Sequence, residues 1–247
     1  MHEADVVAKT VEKWLGNPFS RRALKWITKR KDGESRLDKI LRKYGGEDIK
    51  LSLQESLGYK IVKFVIEKGA ESFGVEEKEK KSFVESLKLP IVRRGLTNIL
   101  EGIAHYGIKR PQVTYAPFLI VWDYTKACNL RCKHCYEDAM PRPAPDELTK
   151  EEAFKAIDEF ALDGVVALAF SGGEPLMRKD FFEVASYAAK KDFYVSLATN
   201  GTLINKEVAK KLKDSGVQYV EISLDGFEET MMSLEELKEL GKKLLKE

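Results

Sequence analysis

All three cysteines of this 247-residue chain, Cys128, Cys132 and Cys135, fall within the single stretch TKACNLRCKHCYEDA. An odd, close-set trio cannot pair off completely as disulfides; it reads as a set of metal ligands in a reducing compartment. At Cys-x3-Cys-x2-Cys spacing, three thiolates can hold three irons of a [4Fe–4S] cube and leave the fourth iron without a protein ligand, open to an exogenous chelator. A structural zinc site is the competing reading, with His134 or the distant His105 as fourth donor. His134 sits between Cys132 and Cys135, where reaching the same ion is cramped.

Something must position that loop, and the surrounding pattern says what. Apolar, β-rich runs occur at 118–124 (FLIVWDY), 165–170 (VVALAF), 193–199 (FYVSLAT) and 219–224 (YVEISL), each followed by a helical pattern. The helices carry recognisable ends: Thr149 with Glu152 as a capping box, Asn205 as an N-cap with Gly216 beyond, and Ser233 with Glu236 opening a last helix. Alternation of this kind predicts βαβ units, a parallel sheet with right-handed crossovers, and ligands gathered at the C-terminal strand ends. Each strand end is followed by polar or glycine-rich chemistry: the cysteine loop, SGGEP (171–175), TNGT (199–202) and DG (225–226). The polar groups therefore converge on one rim.

The cysteine spacing after a first strand, with SGGEP after the second and ATNGT and ISLDG after the third and fourth, resembles the radical S-adenosylmethionine superfamily. The likeness runs over residues 116–228, and the branch it resembles contains molybdenum-cofactor-biosynthesis and peptide-modifying members. It implies a partial parallel (βα) barrel and a [4Fe–4S] cluster held by Cys128, Cys132 and Cys135, whose open iron binds the amino and carboxylate groups of S-adenosylmethionine. It also implies reductive cleavage of that cofactor and hydrogen abstraction from an organic substrate. By the same resemblance Gly172 and Gly173 let the backbone approach the methionine moiety, and Glu174 accepts a hydrogen bond from its ammonium. Asn200, Ser223 and Asp225 become candidates to line the cofactor or substrate pocket, and His134 and Tyr136 shape the cluster environment.

The first hundred residues follow another pattern. VVAKTVEKWL, RRALKWITKR, LDKILRKY, LGYKIVKFVIEKGA and LTNILEGIAHY repeat apolar residues at three- and four-residue intervals, broken at GNP, KDGES, YGGED, SFGVEEKEKK and KLP. The division expected is an all-helical N-terminal domain over 1–110 and a radical-type α/β core over 111–247, truncated to about four βα units. Charge divides in the same way. The formal net charge is +2, made of about +8 over residues 1–110 and about −6 over the rest.

Composition narrows the alternatives. The longest apolar runs are strand-length, far short of the roughly 20 apolar residues of a spanning helix, and the charged N-terminus lacks a secretory signal's apolar core. A cytoplasmic protein is expected. The basic stretch RRALKWITKRK reads as the solvated face of an amphipathic helix rather than a nucleic-acid or lipid contact, given Leu24, Trp26 and Ile27 within it. The expected partners are a low-potential electron donor and an organic substrate, with a second copy or partner chain to complete the barrel. The competing class is a non-catalytic iron–sulfur or zinc-binding interaction protein, or an enzyme fragment needing a partner.

Overall fold

The computed structural model describes residue 12, residues 15–31 and residues 33–224. Asp225, Gly226 and the helix expected from Ser233 lie outside the described residues, as does most of the helical stretch expected over 6–15. The chain forms two compact units, one of residues up to 118 together with 159–166, the other of 119–158 with those from 167 onward.

In the first unit, α1 (Pro18–Ile27) opens at Asn17, whose side-chain oxygen accepts from Ser20 N at 2.9 Å, with Pro18 in its first turn. The Thr28 hydroxyl closes it by donating to Leu24 O at 2.8 Å. The chain then departs from the all-helical expectation: β1 (Arg30–Lys31) and β2 (Glu34–Ser35) form a two-residue antiparallel ladder, with Gly33 at a positive φ of 81°. Next come α2 (Arg36–Tyr44), α3 (Leu53–Ser72), α4 (Glu77–Ser86) and α5 (Pro90–Tyr106). The start of α4 lies in SFGVEEKEKK, a stretch that reads as a break. Lys and Glu are strong helix formers, and the Glu79 side chain caps the start by accepting from Glu76 N at 2.9 Å.

A core of Ile27, Leu37, Ile40, Leu41 and Leu87 holds these helices. Polar residues of α5 are buried beside it and fully engaged. Arg93, 1% exposed, donates to Asp38 at 3.0 Å and to Leu87 O at 3.2 Å. The Asn98 side chain exchanges both hydrogen bonds with the Ala116 backbone, at 3.0 and 2.9 Å, tying the segment after α5 to the helix. Basic residues of the 21–31 stretch are used inside the unit: Arg21 donates to His105 O, and Arg30 pairs with Glu101 at 2.8 Å.

The second unit carries β3 (Leu119–Thr125), α6 (Lys150–Asp163, which continues into the first unit), β4 (Ala167–Gly172), a 3₁₀ turn (Pro175–Met177), α7 (Phe181–Lys190), β5 (Tyr194–Thr199), α8 (Lys206–Asp214) and β6 (Tyr219–Ile222). Its four strands form a parallel sheet in the order β3-β4-β5-β6. Each strand starts within two residues of the run expected for it. The Thr149–Glu152 capping box is present, and Asn205 accepts from Val208 N at 2.9 Å.

Leu168, Phe170, Val195 and Leu197 are buried on one face of the sheet, together with Phe181, Val184, Ala185 and Ala188 of α7. Phe170 stacks on Trp122 at 5.7 Å and meets Phe181 edge-on at 5.4 Å. Burying each such ring contributes about 2–3 kcal/mol. Leu119, Val121, Asp123, Tyr219 and Glu221, on the opposite face, are exposed among the described residues. At its end β3 shifts register by a bulge between Asp123 and Thr125, so Tyr124 is an extra residue opposite β4.

Candidate active site

The bulge delivers the chain into the cysteine loop, whose base is tied. Cys128 N donates to Met140 O at 2.7 Å and Met140 N to Lys126 O at 2.8 Å, closing residues 127–140 into one loop. Glu147 braces the entry by accepting from Thr125 Oγ1, Lys126 N and Ala144 N at 2.8–3.0 Å. None of the three cysteines is in a disulfide; Cys128 and Cys135 are half-buried and Cys132 is exposed. His134 and Tyr136 are exposed on the same loop, Tyr136 at 82%.

The two metal readings ask different things of the donor set. A single zinc ion needs four donors about 2.0–2.3 Å from one point. Among the described residues no three His, Cys, Asp or Glu side chains are gathered as ligands of one ion. His105 lies in the first unit, hydrogen-bonded to Glu101 O at 3.0 Å and packed on Tyr115. A cube makes a different demand: each thiolate meets a separate iron, so the sulfurs need to surround a body rather than a point. Three accessible thiols on one tied loop fit that demand.

The glycines sit against the base of the cysteine loop. A Cβ on Gly172, whose φ is +111°, would meet Thr125 O, and a Cβ on Gly173 would meet Ala127 O with Lys126 O at 2.9 Å. The missing side chains thus make room for the chain's own cysteine-loop base. Gly173 N donates to Thr125 O and Glu174 N to Ala127 O, both at 2.7 Å. Gly173→Ala is expected to cost about 2 kcal/mol in urea unfolding, since backbone carbonyls rather than a flexible side chain must yield. A cost below a few tenths of a kcal/mol would mean that the loop base gives way freely.

Glu174 is fully buried, and its carboxylate serves the protein: it accepts from Leu176 N (3.1 Å), Thr199 Oγ1 (2.9 Å to each oxygen) and Asn200 N (2.8 Å). Burial pushes this carboxyl above its ordinary range, and the bonds from Asn200, Leu176 and Thr199 offset only part of that. The group clips the end of β4 to the end of β5. Asn200 in turn reaches the cysteine loop, its side-chain amide donating to Asn129 Oδ1 at 2.9 Å and to Cys128 Sγ at 3.8 Å. Ser223 is exposed at the end of β6, joined to β5 by its N donating to Thr199 O at 2.9 Å.

The strand ends therefore bring Cys128, Gly172, Gly173, Glu174 and Asn200 into one bonded assembly, with Ser223 at its far side and Asp225 outside the described residues. The motif reading missed Asn129, Thr202, Glu147 and Arg178. Arg178 lies 4.1 Å over the Tyr124 ring and donates to Asp180 at 2.9 and 2.6 Å. Only a carboxylate two residues from an arginine hinted at that pair. Glu137, on the cysteine loop, is held above the usual carboxylate range, first by burial and then by Asp123 beside it.

No described helix is long and apolar enough to cross a membrane. Over 112 residues the chain is 49% identical to the Fe-coproporphyrin III synthase of Methanosarcina barkeri, covering 45% of this chain and 28% of that protein. It is 46% identical over 114 residues to the AdoMet-dependent heme synthase of the same organism (46% of this chain, 33% of that protein). The mycofactocin maturase MftC of Mycobacterium ulcerans is 41% identical over 111 residues, 45% of this chain and 30% of that protein. The matched stretches thus span about a third or less of these relatives' own length. The sequence model named Radical SAM superfamily matches residues 122–246, half of the chain, and with the bonded strand-end assembly in place the conclusion is direct: the chain belongs to the radical SAM superfamily.

Proposed function

We propose that this chain carries the radical-generating core of an enzyme that cleaves S-adenosylmethionine reductively and abstracts hydrogen from an organic substrate. The observation that carries the reading is the direct bonding of the cysteine loop to the Gly172-Gly173-Glu174 segment, through Gly173 N to Thr125 O and Glu174 N to Ala127 O. Those bonds tie the base of the loop that carries the three cysteines to a glycine-lined strand end, which supports a reading in which a cluster and a cofactor touch there.

In this reading Cys128, Cys132 and Cys135 hold a [4Fe–4S] cluster. When bound, that cluster passes an electron from a low-potential donor to S-adenosylmethionine and so supplies a 5′-deoxyadenosyl radical. The chain's own work is placement. Glu147 and the Ala127–Met140 bridge hold the loop at its base, and Glu174 keeps the ends of β4 and β5 together. The backbone around Gly172 and Gly173, with Ser223, offers the surface for the methionine and nucleoside parts, and Asp225 is a further candidate to contact them. The four parallel strands form part of a (βα) barrel, with the substrate against the sheet face of Val121, Asp123 and Glu221, which is exposed among the described residues. We assign residues 1–110 to a separate helical domain and 111–247 to the core. The synthases and the maturase share similarity with this core, so substrate choice lies outside what they have in common with it.

The test is anaerobic iron–sulfur reconstitution, followed by chromatographic assay of 5′-deoxyadenosine after reduction with dithionite. Formation of 5′-deoxyadenosine that depends on both S-adenosylmethionine and reductant is the expected result. A loaded cluster without product points to a core that needs a partner or to the non-catalytic iron–sulfur reading, and stoichiometric zinc without iron to the zinc one.

A further inference from the structure

We infer that Asn129, Thr202 and Asn200 form a latch that holds the cysteine loop to the end of β5 and directs an N–H donor at the Cys128 sulfur, setting how readily a bound cluster is reduced. The redox half of this inference rests on the cluster reading proposed above; the latch itself does not. Asn200 Nδ2 donates to Asn129 Oδ1 at 2.9 Å, Asn129 Nδ2 to Thr202 Oγ1 at 2.7 Å, and Thr202 Oγ1 to Asn200 Oδ1 at 2.7 Å. The three side chains close a ring in which each donates once and accepts once in the same sense. Turning Asn200 over would set its Nδ2 against Thr202 N, a donor that cannot reverse, so the bond from Thr202 N to Asn200 Oδ1 fixes the sense of the ring and with it both amides.

The ring spans two segments more than seventy positions apart in sequence. Asn129 follows Cys128 directly; Thr202 and Asn200 belong to the turn after β5, and Thr202 N adds a bond to Asn200 Oδ1 at 3.0 Å. From the other side the Asn200 backbone is held by the buried Glu174 carboxylate. Asn200 is thus gripped at its backbone by one strand end and at its side chain by the cysteine loop. Its amide has two hydrogens: one goes to Asn129 and the other faces Cys128 Sγ at 3.8 Å, where Leu130 N also donates at 3.4 Å. Hydrogen bonds to cluster-ligating sulfurs raise reduction potential by stabilising the added electron. That makes Asn200 a positioning residue acting through Cys128, a role distinct from lining the cofactor pocket.

Two measurements test this on the 247-residue protein, with Asn200→Ala, Asn129→Ala and, as a control, Asn205→Ala. Asn205 caps α8 and makes no bond to the loop. In the cluster-free protein, amide hydrogen exchange at Cys128, Asn129 and Leu130 should accelerate about tenfold in the first two variants and stay at the wild-type rate in Asn205→Ala. Unchanged exchange in both latch variants overturns the latch. Asn129→Ala, altered at an exposed position, keeps this arm decisive if Asn200→Ala folds poorly.

In the reconstituted protein, an EPR-monitored redox titration should place the Asn200→Ala midpoint more negative than wild type at equal iron content, and leave Asn205→Ala unmoved. An unmoved midpoint overturns the redox role. Wild-type protein that takes up no iron instead rejects the cluster reading, and the redox role with it, while the exchange arm still decides the latch.

Discussion

Cys132→Ala protein, reconstituted anaerobically, is expected to form 5′-deoxyadenosine more than about 100-fold more slowly than wild type, and to hold less iron. Loss of a second-shell partner already costs metal sites 10- to 100-fold, and losing one of three thiolates removes a direct ligand and leaves two irons without protein donors. The chain has no other cysteine to substitute. Cys132 is exposed, so the change should leave folding stability within about 0.5 kcal/mol of wild type. That separation makes the result interpretable: iron content and product fall while the urea midpoint stays. If Cys132→Ala kept wild-type product formation, the thiol trio would not be the ligand set.

Glu174→Ala should instead act on the scaffold, with a loss of about 3 kcal/mol in urea unfolding and a fall in Tm of about 6–12 °C. The substitution strands three donors, Leu176 N and Asn200 N at part-buried positions and the buried Thr199 Oγ1, and an orphan held from water costs about 1–3 kcal/mol. Relief from burying a charge offsets part of the sum. Glu174→Gln exposes that electrostatic part. Because burial raises the Glu174 carboxyl above its ordinary 4.5, folding favours its protonated form. Its contribution is greatest at low pH and declines as pH rises from the ordinary value through the raised one. Gln does not titrate. Relative to Glu174→Gln, wild type should therefore be more stable at about pH 5 than at about pH 8. A stability gap independent of pH between those limits would show that the carboxyl is not raised.

The sheet was legible because its signal is redundant. VVALAF is buried at every position but Ala169, and FYVSLAT is buried on one face and half-buried on the other, so their apolar runs mark strands whatever the rest of the chain does, and Thr149 and Asn205 marked their helices by chemistry local to four residues. The site was legible as a set of strand-end motifs and only partly in its roles. Gly172 and Gly173 could be read as glycines that admit something close; that the chain's own Thr125 and Ala127 carbonyls also come close there depends on the β3 bulge, which no residue type announces. Glu174 looks like any carboxylate until the strands assemble and remove it from water. Asn129 and Thr202 carry no periodicity, and their meaning is a pairing across more than seventy positions. The stretch around Glu77 failed for another reason: a Gly at 74 and a dense charge run read as a turn, whereas the Lys and Glu of that run are good helix formers.

Asn200 is followed by Gly201, the dipeptide in which an asparagine most readily loses its amide: without a side chain to obstruct it, the glycine nitrogen attacks the side-chain carbonyl and closes a succinimide. Here Gly201 N donates to Thr199 Oγ1 at 3.1 Å, while the Asn200 carbonyl oxygen is occupied by Thr202. The side chain is held by both its oxygen and its nitrogen, which restrains the rotation that would bring its carbonyl carbon onto the Gly201 nitrogen. The bonds that orient Asn200 toward Cys128 thus also slow the chemical ageing of the chain at its most vulnerable peptide, and a loosened loop would age into an aspartate unable to donate at all.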